Sequence, residues 1–469
     1  MSQTVIGHYV SSRLWTLSTV LFGILFASAA WPGWMSGDSG TQWLEASGEF
    51  PISDWHAPQM SWAWSFMNPE GMGPRGPFLI QTIVFFSGLA LVVRWTELRS
   101  KSAAVFVFIT TVVAPFTWVI GWLSKDSYTI GFLSLSIGLF LSSTYLPKRI
   151  FWQIGSGFAL GLSAIGRPYM FPVLLFWFIA LVLMVLPPTK RTRILIAIST
   201  PAIVIALLGI FAYPKVVPPF PSFASSSTLI LDVARAECFG RSVESVTPSK
   251  GVIPRFLIVN GEVADVCSNF NPLAWDYISY PANMDGPRIR LPNSGAEADI
   301  LRAAWISALR EFPNVIFAAK VEAGVNLLLE STNLEAPELK TSPSIPGRIG
   351  KVDPRVKDFP SSGGVLLALL LAPVQLLSAT LPFADMGLFW VLLLPGLFLQ
   401  RSMLRKPSGR RLKESIFLFS ALPIWVLVFA FVAPAVGSRY WLIPGFMGAI
   451  SALILCVEFR RPKVKLTEN

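Results

Sequence analysis

The chain has 469 residues, of which 53% are hydrophobic and only 14% are charged. A soluble protein carries roughly a quarter charged residues, so this composition excludes an ordinary soluble domain and predicts an all-α polytopic membrane protein. The formal net charge is +11. The basic residues cluster in short segments between apolar runs, which is the positive-inside pattern and not the signature of nucleic-acid binding.

Apolar runs alternate with short turns through the N-terminal part. These runs cover residues 14–34, 77–93, 103–123, 128–146, 151–165, 169–187 and 194–213. Alternate turns carry lysine and arginine, as at Arg94 and Lys148. This bias predicts a cytoplasmic N-terminus and places the other turns outside. Residues 1–213 are therefore predicted to form a membrane module whose first outer loop is 35–76.

Residues 214–362 are polar and predict an extracytoplasmic domain of helices and irregular segments. Apolar residues recur at helical spacing in Glu297–Arg310 and again in Asn314–Leu329, which predicts two amphipathic helices. Cys238 and Cys267 lie in this segment. Outside the cytoplasm, these two residues could form a disulfide.

The C-terminal part, 363–469, is predicted to be a second membrane module. Its apolar runs are 363–379, 385–400, 415–435 and 441–458, and the basic clusters after residues 400 and 459 are predicted to be cytoplasmic. If residue 362 lies outside and residue 401 inside, the chain crosses the membrane only once between them. The run 385–400 is then the span, and 363–379 is re-entrant or lies along the outer surface. The alternative makes both runs spans and puts the first cluster outside. The favoured count is about 10–11 spans, including the partial one.

The first outer loop holds the earliest candidate for chemistry. Asp38 lies just beyond the first span, where an ionised carboxylate is costly unless it is hydrated or paired. The alternative interpretation is structural: Thr41–Ala46 is predicted to form a short interfacial helix with Ser39 or Asp38 as its cap.

Asp54 and His56 are the next candidates in this loop. A second helix is predicted to start at Pro58, with its tryptophans toward the membrane interface. The alternative role for Asp54 is the N-cap of that helix. His56 is too isolated to predict a metal site, since no second histidine is predicted on the outer side.

Charged residues of both signs mark the outer ends of later spans. They are Lys125, Asp126 and Arg167, together with Arg439 beside Tyr440. Each alone is typical of an interfacial or snorkelling side chain. Together with the loop carboxylates they predict a cavity that suits a phosphate-bearing lipid headgroup and the removal of a proton.

This arrangement resembles the GT-C superfamily, membrane glycosyltransferases that use polyprenyl-phosphate-linked sugars. The resemblance begins with Gly37-Asp38-Ser39, an aspartate just after the first span. A narrower likeness is to a group of poorly characterised bacterial GT-C-like proteins, carried by several segments. These are Ser53–Met60 (an SDWHPP-like element with Ala57 at a proline position), Lys125-Asp126, Gly166-Arg167-Pro168, Ser438-Arg439-Tyr440 and Leu301–Glu330.

The resemblance implies a GT-C-like helical bundle that catalyses an inverting sugar transfer. Asp38 would be the general base, and Asp54 and His56 would orient the acceptor or assist the base. The substrate-binding set that the resemblance implies is Lys125, Asp126, Arg167, Arg439 and Tyr440, whose cations would stabilise the leaving phosphate. The partners implied are a lipid-linked sugar donor, a glycan or glycolipid acceptor and membrane lipids, with no nucleic acid.

The location implied is the bacterial inner (cytoplasmic) membrane, crossed several times, with the active site on the extracytoplasmic face. No cofactor is required by the pattern, and the need for a divalent metal is left open. The main rival function is a transporter or flippase of a lipid-linked sugar or other amphipathic substrate. Such a protein should place polar or broken-helix sites near the bilayer midplane, often within an internal repeat, whereas these charges lie at one rim. A scaffold whose segment 214–362 binds a partner is the third interpretation.

Overall fold

The computed structural model confirms that the protein is helical. Among the residues it describes, β structure is limited to two short pairs of strands, β1–β2 and β3–β4. Described residues are 13–35, 37–54, 57–68, 72–209, 226–240, 253–268, 270, 287–329, 370, 388–404, 409–432 and 442–460.

The N-terminal helices overlap the predicted apolar runs, although their bounds differ. They are α1 (Leu14–Ala30), α2 (Gly37–Ser47), α3 (Pro58–Phe66), α4 (Arg75–Glu97), α5 (Lys101–Val113), α6 (Lys125–Ser142), α7 (Arg149–Gly166), α8 (Phe171–Val185) and α9 (Pro188–Leu207). Strands β1 (Trp34–Met35) and β2 (Trp122–Leu123) lie between them.

The remaining elements belong to residues 214–362, which are predicted to lie outside and are called the outer segment below, and to the C-terminal part. They are α10 (Ser226–Arg235), β3 (Ile258–Val259), α11 (Val263–Ser268), β4 (Arg288–Ile289), α12 (Gly295–Glu311), α13 (Pro313–Leu329), α14 (Leu394–Leu404), α15 (Gly409–Val432) and α16 (Leu442–Arg460). A π-helical segment, Phe389–Leu393, leads into α14. The predicted partial helix 363–379 lies outside the described residues apart from Leu370.

The predicted span 103–123 is wrong in its second half. Helix α5 ends at Val113, and the chain continues through a helical turn, a 3₁₀ turn and β2. Pro115 explains the break, because a proline disfavours helical geometry in the residue before it and lacks a backbone N–H. The apolar run continued past the helix because these turn residues are buried as well.

Helix α4 passes the length and composition test for a membrane span, and it is the only described helix that does. Five shorter apolar helices were also found: Leu14–Ala30, Lys101–Val112, Phe171–Val185, Phe389–Gln400 and Leu442–Val457. The number of crossings therefore stays a prediction.

Helices α4, α6, α7 and α9 pack side by side in that order. A Cβ on Gly88 of α4 would lie 2.3 Å from the carbonyl carbon of Ser134 on α6, so only glycine allows this approach. Ser134 also donates a hydrogen bond to the Phe85 carbonyl across the same contact, at 3.0 Å. Small residues that bring two backbones together are typical of helix packing in membranes.

Polar contacts join the ends of these helices on the predicted cytoplasmic side. Glu97, at the end of α4, accepts hydrogen bonds from the Trp15 N–H at 3.1 Å and the Thr16 hydroxyl at 2.8 Å, which caps the start of α1. Arg191 of α9 forms an ion pair of 2.7 Å with Glu414 of α15. The Arg191–Glu414 pair thus links the N-terminal helices to the C-terminal ones.

The outer segment has its own apolar core, formed by residues of α10, α12 and α13 and of the strands. The two helices predicted here are confirmed as α12 and α13, which extend slightly beyond the predicted bounds. The Ser294 hydroxyl caps α12 by accepting from the Glu297 N–H at 3.3 Å. Cys238 and Cys267 are joined by a disulfide, a possibility that the sequence had left open.

A buried ion cluster joins three of the helices in the outer segment. Asp232 of α10 accepts from Arg235 and from Lys320 of α13, each at 3.0 Å, and from the Trp305 indole of α12 at 3.1 Å. Asp232, Arg235 and Lys320 are all buried. Because buried charges are stable only when they are paired and hydrogen-bonded, this cluster specifies how α10, α12 and α13 meet.

Candidate functional site

Strand pairing brings the first outer loop to the start of α6. β1 and β2 run parallel, with Trp34 opposite Trp122 and Met35 opposite Leu123. The Ser39 hydroxyl donates a hydrogen bond to the Leu123 carbonyl. Helix α2 begins two residues after β1 and α6 begins two residues after β2. The two helix N-termini, which carry Asp38 and Lys125, are therefore neighbours.

The structure corrects the predicted start of the first interfacial helix. That helix begins at Gly37 instead of Thr41, so Asp38 lies inside its first turn and does not precede it as a cap. The hydroxyl of Ser39 contacts the Leu123 carbonyl in β2. Helix α2 begins earlier than predicted because the β1–β2 pair and this hydrogen bond hold the first turn of α2 against the start of α6.

Asp126 and Arg167, which were predicted to share one rim, form a buried bidentate ion pair. The Arg167 Nε donates to Asp126 Oδ1 and Nη2 donates to Oδ2, both at 2.8 Å, and each residue is 3% exposed. A Cβ on Gly166 would lie 2.7 Å from the Lys125 carbonyl oxygen. Glycine therefore lets the end of α7 touch the first turn of α6, which brings Lys125, Asp126 and Arg167 together.

Glu45 is an acid that the sequence interpretation missed. It is 3% exposed on α2 and accepts from the Ser53 N–H at 3.1 Å, the Ser53 hydroxyl at 2.5 Å and the Ser61 hydroxyl at 2.7 Å. Burial raises the pKa of the Glu45 carboxyl above its usual 4.5, the serine hydrogen bonds oppose this, and the nearby Asp54 charge adds to the rise. The signal in the sequence was its spacing: position 45 is seven residues after position 38, on the same helix face.

Glu45 also determines where Asp54 lies. One oxygen of Glu45 accepts from Ser53, and the other accepts from Ser61 of α3. Glu45 therefore ties the segment that carries Asp54 to both α2 and α3. Helix α3 starts at Pro58 as predicted, but its N-cap is Ala57, so the alternative cap role for Asp54 is wrong. Asp54 is half-buried beside this hydrogen-bonded contact.

The prediction that the tryptophans of α3 face the membrane interface is wrong for Trp64 and stays a prediction for Trp62. Trp62 is exposed, whereas Trp64 is fully buried against the helical core, as is Trp43 of α2. In the described part of this loop, the two short helices therefore pack Trp43 and Trp64 into the core. Its remaining candidates, Trp55 and His56, lie outside the described residues, as do Arg439 and Tyr440.

Within the described ranges, no group of three or more histidine, cysteine, aspartate or glutamate residues is arranged to hold a metal ion. Comparison with known proteins adds no assignment: no protein-family model, no curated protein and no solved structure matches the chain. The functional argument therefore depends on the geometry of this outer site.

Proposed function

We propose that this protein is a polytopic membrane glycosyltransferase of the GT-C type. It would move a sugar from a polyprenyl-phosphate-linked donor to an acceptor outside the cytoplasm. The observation that carries the proposal is the β1–β2 pairing, which puts the N-terminus of α2 with Asp38 beside the N-terminus of α6 with Lys125. A carboxylate-bearing residue and a cationic residue on neighbouring helix N-termini are the minimum that a base-assisted transfer onto a phosphate leaving group requires.

In the proposed reaction, Asp38 takes the proton from an acceptor hydroxyl as that oxygen bonds to the anomeric carbon of the donor sugar. The bond between that carbon and the phosphate oxygen breaks, and its electron pair leaves with the lipid phosphate. The leaving group thus gains negative charge, which Lys125 and the adjacent helix N-termini stabilise. The products are the extended glycan and a polyprenyl monophosphate.

The surrounding residues divide between binding and positioning. Arg167 directs Nε and Nη2 at Asp126, so we assign this pair to holding the first turn of α6 in place. Glu45 holds the Asp54 segment against α2. Arg439, with Tyr440, remains the predicted second cation for the phosphate, and His56 a predicted assistant to the base. The expectation that Arg167 itself contacts phosphate also stays a prediction.

Two features support placing this site at the outer face of a bilayer. Helix α1 exposes large apolar side chains along one side, among them Leu17, Leu21 and Ile24, as a lipid-facing helix does. The disulfide between Cys238 and Cys267 suits an oxidising compartment, and it lies in the segment that the charge pattern places outside.

A flippase or transporter is the second candidate, and the C-terminal helices favour it. A π-helical segment, Phe389–Leu393, precedes α14, and Pro423 lies inside α15. Such irregularities are frequent at functional sites, and discontinuous helices form the substrate sites of many transporters. This candidate predicts movement of an intact lipid-linked sugar, whereas the transferase predicts its cleavage.

The test is complementation of a strain that lacks the protein, with surface glycans and lipid-linked sugars measured by mass spectrometry. Asp38→Asn keeps the size of the side chain but cannot accept the proton. We expect the deletion to shorten one glycan by a sugar, the wild type to restore it, and the variant to fail at normal protein levels. Glu49→Gln, an exposed acid in the same loop, is the matched control and should restore it. Full restoration by Asp38→Asn would refute the assignment.

A further inference from the structure

Helix α13 carries a stripe of exposed apolar side chains along its full length. Phe317 is 59% exposed, Val321 44%, Val325 48% and Leu329 47%. Residues four apart lie on one face of an α-helix, so these four form a continuous surface. Single exposed apolar residues are ordinary, but a contiguous row of large ones marks an interaction surface.

The opposite face of α13 is already occupied by the protein. Ile316, Ala319 and Ala323 are buried there, and Lys320 is ion-paired with Asp232 of α10. Ile316 belongs to the core of the outer segment, and α13 also packs against α15, one of the apolar C-terminal helices. The rotation of α13 is therefore fixed by its buried face, and the stripe must point away from the outer core.

We propose that the stripe is inserted among the lipid acyl chains, so that α13 lies partly in the outer leaflet beside α15. The inference rests on the membrane placement in the proposed function and not on the transfer chemistry. Helix α15, on which α13 packs, exposes Ile424, so the stripe continues an apolar surface of the bundle. Glu322, next to the stripe on the helix, is exposed. An apolar strip bordered by charged side chains is expected of a helix at a membrane–water boundary.

This insertion has a consequence for the outer segment. Lys320 connects α13 to Asp232, and Asp232 is bonded to Trp305 of α12. A lipid-inserted α13 would therefore anchor the whole α10–α12–α13 unit to the membrane through one rigid helix. Such an anchor would hold the outer segment at the height of the bilayer surface, where a lipid-linked donor presents its sugar.

The test is the accessibility of nitroxide labels to molecular oxygen, which concentrates in the bilayer, and to a water-soluble nickel chelate. The full chain carries Cys456→Ala to remove its reactive thiol and is placed in phosphatidylethanolamine–phosphatidylglycerol vesicles. Labels are introduced by Val321→Cys and Val325→Cys on the stripe. Glu322→Cys is the matched control on the same helix, and Leu21→Cys on α1 is the reference for a lipid-facing site.

We expect the labels at positions 321 and 325 to relax faster with oxygen than with the nickel chelate, as at position 21, and the reverse at 322. Nickel access at 321 and 325 equal to that at 322 would overturn the inference, and so would low access to both reagents, which indicates a protein partner. If position 21 also favours nickel, the membrane placement itself fails. If only the stripe favours nickel, the insertion of α13 alone fails.

Discussion

Replacing Asp126 by asparagine should remove the charge that balances Arg167 at the junction of α6 and α7. Both residues are 3% exposed, and two hydrogen bonds of 2.8 Å join their side chains. Removal of one member of a buried pair leaves an uncompensated charge and costs about 3–5 kcal/mol. We therefore expect Asp126→Asn to lower the melting temperature of the purified protein strongly.

Replacing both members gives the more informative result. In Asp126→Leu/Arg167→Met the charges are gone and the volume is nearly kept, a change that is often neutral or stabilising by about 1–4 kcal/mol. If the pair only positions α6, the double variant should regain both thermal stability and glycan synthesis in the complementation assay. Recovery of stability without synthesis would refute this reasoning and make Arg167 a phosphate ligand.

A surface pair provides the control for these measurements. Arg302 and Asp299 form an ion pair of 2.9 Å on α12, with side chains 63% and 72% exposed. Exposed pairs contribute about 0–1 kcal/mol because water screens them. Asp299→Asn should thus leave the melting temperature nearly unchanged. A decrease in melting temperature as large as that of Asp126→Asn would mean that solvent exposure does not determine how much an ion pair contributes to stability.

Three further substitutions test the contacts of Glu45 and the ion pairs of the outer segment. The raised pKa of Glu45 means that its protonated form contributes stability below about pH 4.5, and this contribution is lost as the pH rises through the raised pKa. Thermal melts should therefore show a larger destabilisation by Glu45→Gln at pH 4.5 than at pH 8. A destabilisation that does not change with pH would contradict this. Asp232→Asn removes the carboxylate that Arg235 and Lys320 share, which should lower the local stability by about 3–5 kcal/mol. Limited proteolysis should then cut the outer segment faster than in the wild type. An unchanged cleavage rate would contradict this. The hydrogen bond from Arg290 lowers the pKa of Glu297 to about 2, so the ionised Glu297 contributes stability above about pH 4.5 that is lost as the pH falls toward 2. Glu297→Gln should therefore reduce the difference between the melting temperatures at pH 7 and pH 3. An unchanged difference would contradict this.

The sequence predicted the helices well wherever apolar runs ended at clear signals. The amphipathic helices now seen as α12 and α13 and the start of α3 at Pro58 follow from local pattern and chemistry, whereas the disulfide was left open. The run 103–123 misled because buried turn residues are as apolar as helical ones. Its proline at 115 was the signal that could have corrected the assignment.

The candidate site was predictable as a set of rim residues but not as a set of contacts. Charge placement put Lys125, Asp126 and Arg167 at one face, and the structure brings them together. That Asp126 and Arg167 bind each other depends on the approach that Gly166 allows between α6 and α7. Glu45 was missed because its seven-residue spacing from Asp38 does not by itself distinguish a buried acid from a solvated one, and its burial arises only when α3 packs over it.

The most direct test of the central claim is the chemical fate of the lipid donor. Purified protein is placed in vesicles that contain the lipid-linked sugars of the source membrane together with its glycan acceptors, and polyprenyl monophosphate is measured by mass spectrometry. We expect wild-type protein to release polyprenyl monophosphate in step with glycan extension, and Asp38→Asn to release none. A wild-type protein that moves the sugar-lipid between leaflets without releasing lipid phosphate would contradict the account and identify a flippase.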